Sequence, residues 1–197
     1  MKIVLASNNK GKLREFTRLL EPLKIEVHPQ GEFNVQAAEE PYGTFIENCL
    51  LKARHAAKIT GLPAIADDSG ICVNALGGAP GVYSARFSGE GATDDKNNAL
   101  LVQKLQNAAD RGAHYTCVLV AVRHADDPEP VIAEGRWYGE VTDTPAGEGG
   151  FGYDPYFFLP ELGKTAAELT ADEKNAISHR GQAMVKLIEE IQRRWAL

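Results

Sequence analysis

Ala64-Ile65-Ala66-Asp67-Asp68-Ser69-Gly70 reads as a short buried strand that stops on two adjacent acids, and the reading of the fold turns on it. Upstream, Thr44-Phe45-Ile46-Glu47 has capping-box spacing, and Ile46, Leu50, Ala53 and Ala57 follow as one apolar stripe until Gly61 and Pro63 end the helix. At the start of the chain, Ile3-Val4-Leu5-Ala6 is a second short buried strand. It enters the polar loop Ser7-Asn8-Asn9-Lys10-Gly11-Lys12, after which Leu13, Phe16, Leu19 and Leu20 share one helical face. Downstream, Ile71 and Val73 continue as a short strand, and Thr93 caps a helix carrying Leu100, Leu101 and Leu105. Tyr115 to Val122 and Val131 to Val141 are longer strands that form a candidate hairpin. A second capping box, Thr170-Ala171-Asp172-Glu173, opens one final helix with the stripe Ile177, Met184, Leu187, Ile188, Ile191 and Trp195. Strands alternating with helices predict an α/β fold with a mixed central sheet and flanking helices.

The 197 residues, 44% apolar and 24% charged, describe one ordinary globular domain spanning 1–197. A net charge of −6 argues against a nucleic-acid binder, whose affinity comes from neutralising phosphates with Lys and Arg. Cys49, Cys72 and Cys117 are odd in number and widely spaced, which fits a reducing compartment better than a disulfide framework or a zinc site. No apolar run approaches the roughly 18 residues of a membrane span. A cytoplasmic protein without a membrane partner is expected.

Several segments bear chemistry, each with a structural alternative. Asp67 and Asp68 repel each other at a strand end, as suits a hard cation, but Asp-Asp-Ser-Gly is equally a turn sequence. Glu39-Glu40 precedes a helix, where acids are favoured by the dipole in any case. Ser7 to Lys12 offers N–H groups, a hydroxyl and lysines at a helix start, an arrangement that cradles phosphates, or else carries solvated loop charges. The Walker spacing is absent. Gly147 to Gly152 matches G-x-G-x-x-G formally, yet Tyr153-Asp154-Pro155 follows where a helix should begin. The loop instead offers Phe151 or Tyr153 for stacking on a base and Asp154 for bonding its edge, against the alternative of a hairpin with core aromatics. Lys174 is placed in the first turn of the last helix, where a cation is disfavoured unless an anion is near, and Gly181 weakens that helix beside His179 and Arg180, as if to admit a ligand. No motif for covalent catalysis is present.

The ordered set of these segments resembles the inosine triphosphate pyrophosphatase family, in particular its bacterial dITP/XTP pyrophosphatase branch. It comprises Ser7–Lys12, Thr44–Asn48 with Lys52-Ala53-Arg54, Ala66–Gly70, Leu76–Gly81 with Tyr83–Arg86, Gly150–Pro155 and Glu173–Arg180. Asn8 stands where relatives often carry Gly. The resemblance implies a long mixed sheet forming two lobes around a nucleotide cleft, a homodimer, and Mg²⁺-dependent hydrolysis of deaminated purine nucleoside triphosphates to monophosphate and pyrophosphate. On that basis Ser7, Asn8, Asn9, Lys10, Gly11, Lys12 and Lys174 hold phosphates, and Asp68 and Glu39 hold Mg²⁺, with Glu40 the alternative to Glu39. Asp68 is also the catalytic base. Phe151, Gly152, Tyr153, Asp154, His179 and Arg180 hold the base, and Lys52 and Ser69 join the substrate-binding set. A nucleotide sensor that binds without hydrolysis is the reading from a different class, and a pyrophosphatase for modified pyrimidine nucleotides is a third.

Overall fold

The computed structural model describes residues 1–195. Its strands are β1 (Lys2–Leu5), β2 (Glu26–Pro29), β3 (Ala64–Val73), β4 (Gly112–Val122), β5 (Val131–Val141), β6 (Phe157–Leu159) and β7 (Lys164–Thr165). They form one open sheet in the order β2-β1-β3-β4-β5-β6-β7. β1 pairs in parallel with β2 and β3, whereas β6 pairs antiparallel with β5 and β7, so the sheet is mixed as the alternation predicts. The α-helices are α1 (Lys10–Leu20), α2 (Phe45–Thr60), α3 (Asp94–Leu105), α4 (Ala171–Ile177) and α5 (His179–Arg194). Among the described residues no helix is long and apolar enough to cross a membrane.

The chain groups into two compact units. The first contains Met1–Asp68, Val118–Glu134 and residues 183–195; the second contains Ser69–Cys117 and Gly135–Gln182. In the first unit the small face of α2, Cys49, Ala53, Ala56 and Ala57, lies on Val4, Ala64, Ala66, Val118, Val120 and Val122. In the second, Ile71, Val73, Leu101, Leu105, Tyr115, Trp137, Tyr153 and Phe157 form the centre of the core.

Four local readings are corrected. β3 does not stop at the acids but runs through them to Val73. The turn-forming residues are overridden by tertiary pairing: the Ile71 N–H donates to Ser84 Oγ (2.9 Å), and a Cβ on Gly70 would meet Gly81 O at 2.3 Å. α1 begins at Lys10, because the Asn9 side chain accepts from the Gly11 and Lys12 N–H groups (2.8 and 3.1 Å), so Lys10 to Lys12 are helix rather than loop. α2 is capped by Thr44 as expected, but its buried face is set by small residues that admit the sheet closely, leaving Ile46 exposed. The final helix is two helices. Ser178 is extended (φ −68°, ψ 161°), and its Oγ accepts from the Gly181 N–H (3.2 Å), capping a new start at His179.

Candidate active site

The first unit gathers charge around the end of its part of β3. Asp67 and Asp68 are both buried. Lys12, projecting from the first turn of α1, pairs with Asp67. Lys52, one face of α2, donates to Glu40 Oε1 (2.7 Å) and lies 3.3 Å from Asp68 Oδ1. A cavity of about 320 Å³ is lined by Ser7, Asn8, Lys12, Gln30, Glu40, Lys52 and Asp67, at the small end of ligand pockets. Burial raises the Asp68 carboxyl most strongly; Lys52 opposes that effect, while Glu40 and Asp67 add to it, leaving the group at about 6. Burial pulls Lys52 down, but the carboxylates of Asp68 and Glu40 outweigh it, and its ammonium is held above the usual lysine range. Asp68 Oδ2 is buried without a hydrogen-bond partner. An orphaned carboxylate oxygen beside two further acids suits a hard cation that takes oxygen ligands. Among the described residues no three His, Cys, Asp or Glu side chains form a metal cage by themselves.

Of the acidic pair left open by the sequence, it is Glu40 that joins Asp68, through Lys52. Glu39 is exposed and enters none of these contacts. The strand-to-helix loop is likewise more self-contained than its composition suggests. Ser7 Oγ accepts from the Asn9 N–H (3.1 Å), Asn8 Oδ1 from the Gly31 N–H (2.8 Å), and Asn9 caps α1. Lys10 is exposed. With lysines and no acid in its first turn, α1 presents a positive start.

The second unit assembles the remaining candidates. Phe151 is 63% exposed, with Lys174 Nζ at 4.8 Å and the Arg180 guanidinium at 6.0 Å from its ring centre. Gly152 is clamped from both sides by α3: its N–H donates to Asp94 Oδ2 (2.7 Å) and its carbonyl accepts from Asn98 Nδ2 (2.8 Å). Tyr153 turns inward, and its hydroxyl donates to Ser84 O (2.7 Å). Asp154 is buried, its Oδ2 accepting from the Phe151 N–H (2.8 Å) and from Lys174. His179 stacks on Tyr115 at 4.7 Å and 9°. Arg180 Nη2 donates to Ser69 Oγ (3.4 Å). Because α4 has only seven residues, Lys174 lies in its last turn as well as near its start, so the dipole penalty inferred for one long helix does not apply. The reading of Gly181 changes too. A Cβ there would lie 1.8 Å from Asn175 O, so the glycine admits the end of α4 rather than a ligand.

Sequence reasoning passed over Gln30, Asp94, Asn98 and Tyr115, whose roles depend on contacts with distant segments. No local pattern marks them.

Comparison with known proteins agrees with the motif set. A protein of Ralstonia nicotianae called dITP/XTP pyrophosphatase is 65% identical over 193 residues, 96% of each chain. One of the same name from Chromobacterium violaceum is 62% identical over 189 residues. Among solved structures, a HAM1 protein from Coxiella burnetii superposes with a TM-score of 0.95 at 48% identity, covering 98% of this chain and 99% of its own. A nucleoside-triphosphatase, dITP/XTP pyrophosphatase, from Mycobacterium abscessus gives a TM-score of 0.80 at 43% identity over 97% of this chain and 100% of its own. The model of the Ham1 family matches residues 3–190, a span that takes in every motif from the Ser7 loop to Arg180, and the chain belongs to that family.

Proposed function

We propose that this chain is a nucleoside-triphosphate pyrophosphatase that converts deaminated purine nucleotides, ITP, dITP, XTP and dXTP, to the monophosphate and pyrophosphate. The observation that carries the reading is the buried Asp68 carboxylate, with an unpartnered oxygen, held against Lys52 beside Glu40 and Asp67. The names of its relatives point to the same reaction.

Water attacks the α-phosphorus, its oxygen bonds there, and the α–β bridging oxygen leaves with pyrophosphate. Asp68 orients that water and accepts its proton. Lys12 and Lys52 shift from their acid partners toward the phosphates and neutralise them. Asp68 and Glu40 would hold Mg²⁺, which would supply charge stabilisation to the phosphates. Phe151 offers its exposed ring to the base, and Arg180 with His179 offers donors to its 6-keto edge. A site built to hydrogen-bond one edge rejects the reverse pattern of adenine by factors on the order of 10⁴. A homodimer in the cytoplasm, acting on free nucleotides rather than nucleic acid, completes the proposal.

Purified protein incubated with ITP, XTP, dITP, ATP and GTP, with and without Mg²⁺, is expected to give monophosphate and pyrophosphate readily from the first three, with ATP slower by a factor on the order of 10⁴ and GTP also far slower, and only with the metal. Tight binding without product would instead make it a sensor. The metal assignment has its own test. Glu40→Gln is expected to raise the Mg²⁺ concentration for half-maximal activity by ~10-fold or more, while Glu39→Gln leaves it within about twofold. The reverse order in a magnesium titration would return the ligand to Glu39.

A further inference from the structure

Tyr115 lies in β4, away from every motif the sequence singles out, yet it touches two parts of the base-binding set. Its hydroxyl donates to Asp154 Oδ1 (3.3 Å), the oxygen opposite the one engaged by Lys174 and the Phe151 N–H. Its ring lies parallel to His179, with centres 4.7 Å apart, and is braced on its other contacts by Phe157 at 4.7 Å and Trp137 at 6.4 Å. The loop residues 151–154 and the start of α5 are therefore both referenced to one rigid side chain. Burial, with the Asp154 charge adding to it, pushes the phenol well above its ordinary range, so the hydroxyl keeps its proton and serves Asp154 only as a donor.

We infer that Tyr115 is the positioning residue of the base site: its hydroxyl sets Asp154 and its ring face sets His179, so that base discrimination depends on a residue that does not touch the base. The inference rests on the base-binding reading of Phe151 to Asp154, His179 and Arg180 given above. Its physical content is that edge recognition requires donors and acceptors held to a fraction of an ångström by groups that are themselves locked.

Tyr115→Phe removes the hydroxyl and keeps the ring. Steady-state kinetics with ITP and ATP, beside thermal melts, are expected to show KM for ITP rising about tenfold, the order that a hydrogen bond to a charged acceptor carries. The ratio of kcat/KM for ITP over ATP should fall by about the same factor, while kcat for ITP falls by no more than about threefold. In an Asp154→Asn background the same change should add less than about twofold, since the bond it breaks is already weakened. A Tyr115→Phe protein that melts lower but keeps the KM and the substrate ratio of the unaltered chain would overturn the inference, as would one that does not fold, because Tyr115 would then be a core residue and nothing more. Full additivity with Asp154→Asn would overturn it as well. If the unaltered protein does not turn over ITP, the base-site reading itself falls, an outcome visible before any variant is made.

Discussion

Asp68→Asn is expected to abolish pyrophosphate release, by ~10³-fold or more in kcat, and at the same time to make the protein more stable. The activity loss follows because the amide neither takes a proton nor binds a cation as a carboxylate does. The stability gain follows from linkage. Asp68 is held at about 6 in the folded chain against an ordinary value of 3.8, so between these pH values the folded state binds more protons than the unfolded one. Stability contributed by this group is therefore present below about 4, falls as pH rises through about 6, and stays lost above it. At pH 8 the ionised, partly desolvated carboxylate costs about 1–3 kcal/mol, and the neutral amide removes most of that cost. For a chain of this size that is a rise of ~3–8 °C in Tm. Melting curves at pH 5 and pH 8 without metal provide the check. The variant should exceed the unaltered protein clearly at pH 8 and much less at pH 5, where Asp68 is already largely protonated. Added Mg²⁺ should then raise the melting point of the unaltered protein and leave the variant nearly unmoved. Retained turnover would remove Asp68 from the chemistry, and an equal difference at both pH values would remove the stored electrostatic strain.

Gly181→Ala should carry the largest penalty to stability. The added methyl carbon would sit 1.8 Å from the carbonyl oxygen of Asn175 and 3.0 Å from its carbon, and both are backbone atoms with no rotamer to yield. Relief requires α4 to move off the start of α5. Overpacking of this kind costs at least about 3 kcal/mol, or ~6–12 °C in Tm. The shift also reaches the site. Lys174 precedes Asn175 by one residue and pairs with Asp154, and His179 lies two residues before Gly181 in the stack on Tyr115. KM for ITP is therefore expected to rise ~10-fold or more even below the melting transition. Gly43→Ala serves as the control, since a Cβ there meets nothing within 4 Å and the backbone is not left-handed; its stability should change by less than about 0.5 kcal/mol. A Gly181→Ala protein as stable as that control would show that α4 and α5 are free to separate.

Much of the fold was legible because its signals are local. Thr44, Thr93 and Thr170 each cap the helix expected after them, and the Thr170–Glu173 capping box is complete in both directions. Where local reading failed, the cause was non-local. Turn-forming Asp67 to Gly70 became strand, and one helical period from Ile177 to Trp195 concealed the break at Ser178.

The same division runs through the candidate site. Residue chemistry, capping and the order of the motifs determine by themselves the α/β class and the family, and they single out the acids, lysines and aromatics proposed for the site, because these depend on neighbours within about four positions along the chain. Which member of the set lies beside which was decided only by tertiary structure. Lys12 meets Asp67 across 55 residues, Tyr115 meets Asp154 across 39, and Arg180 reaches Ser69 across 111. Glu40, and not Glu39, meets Lys52 in the same way, across elements. The strength of such pairs depends on burial and on distances of a few ångströms, neither of which a linear pattern contains.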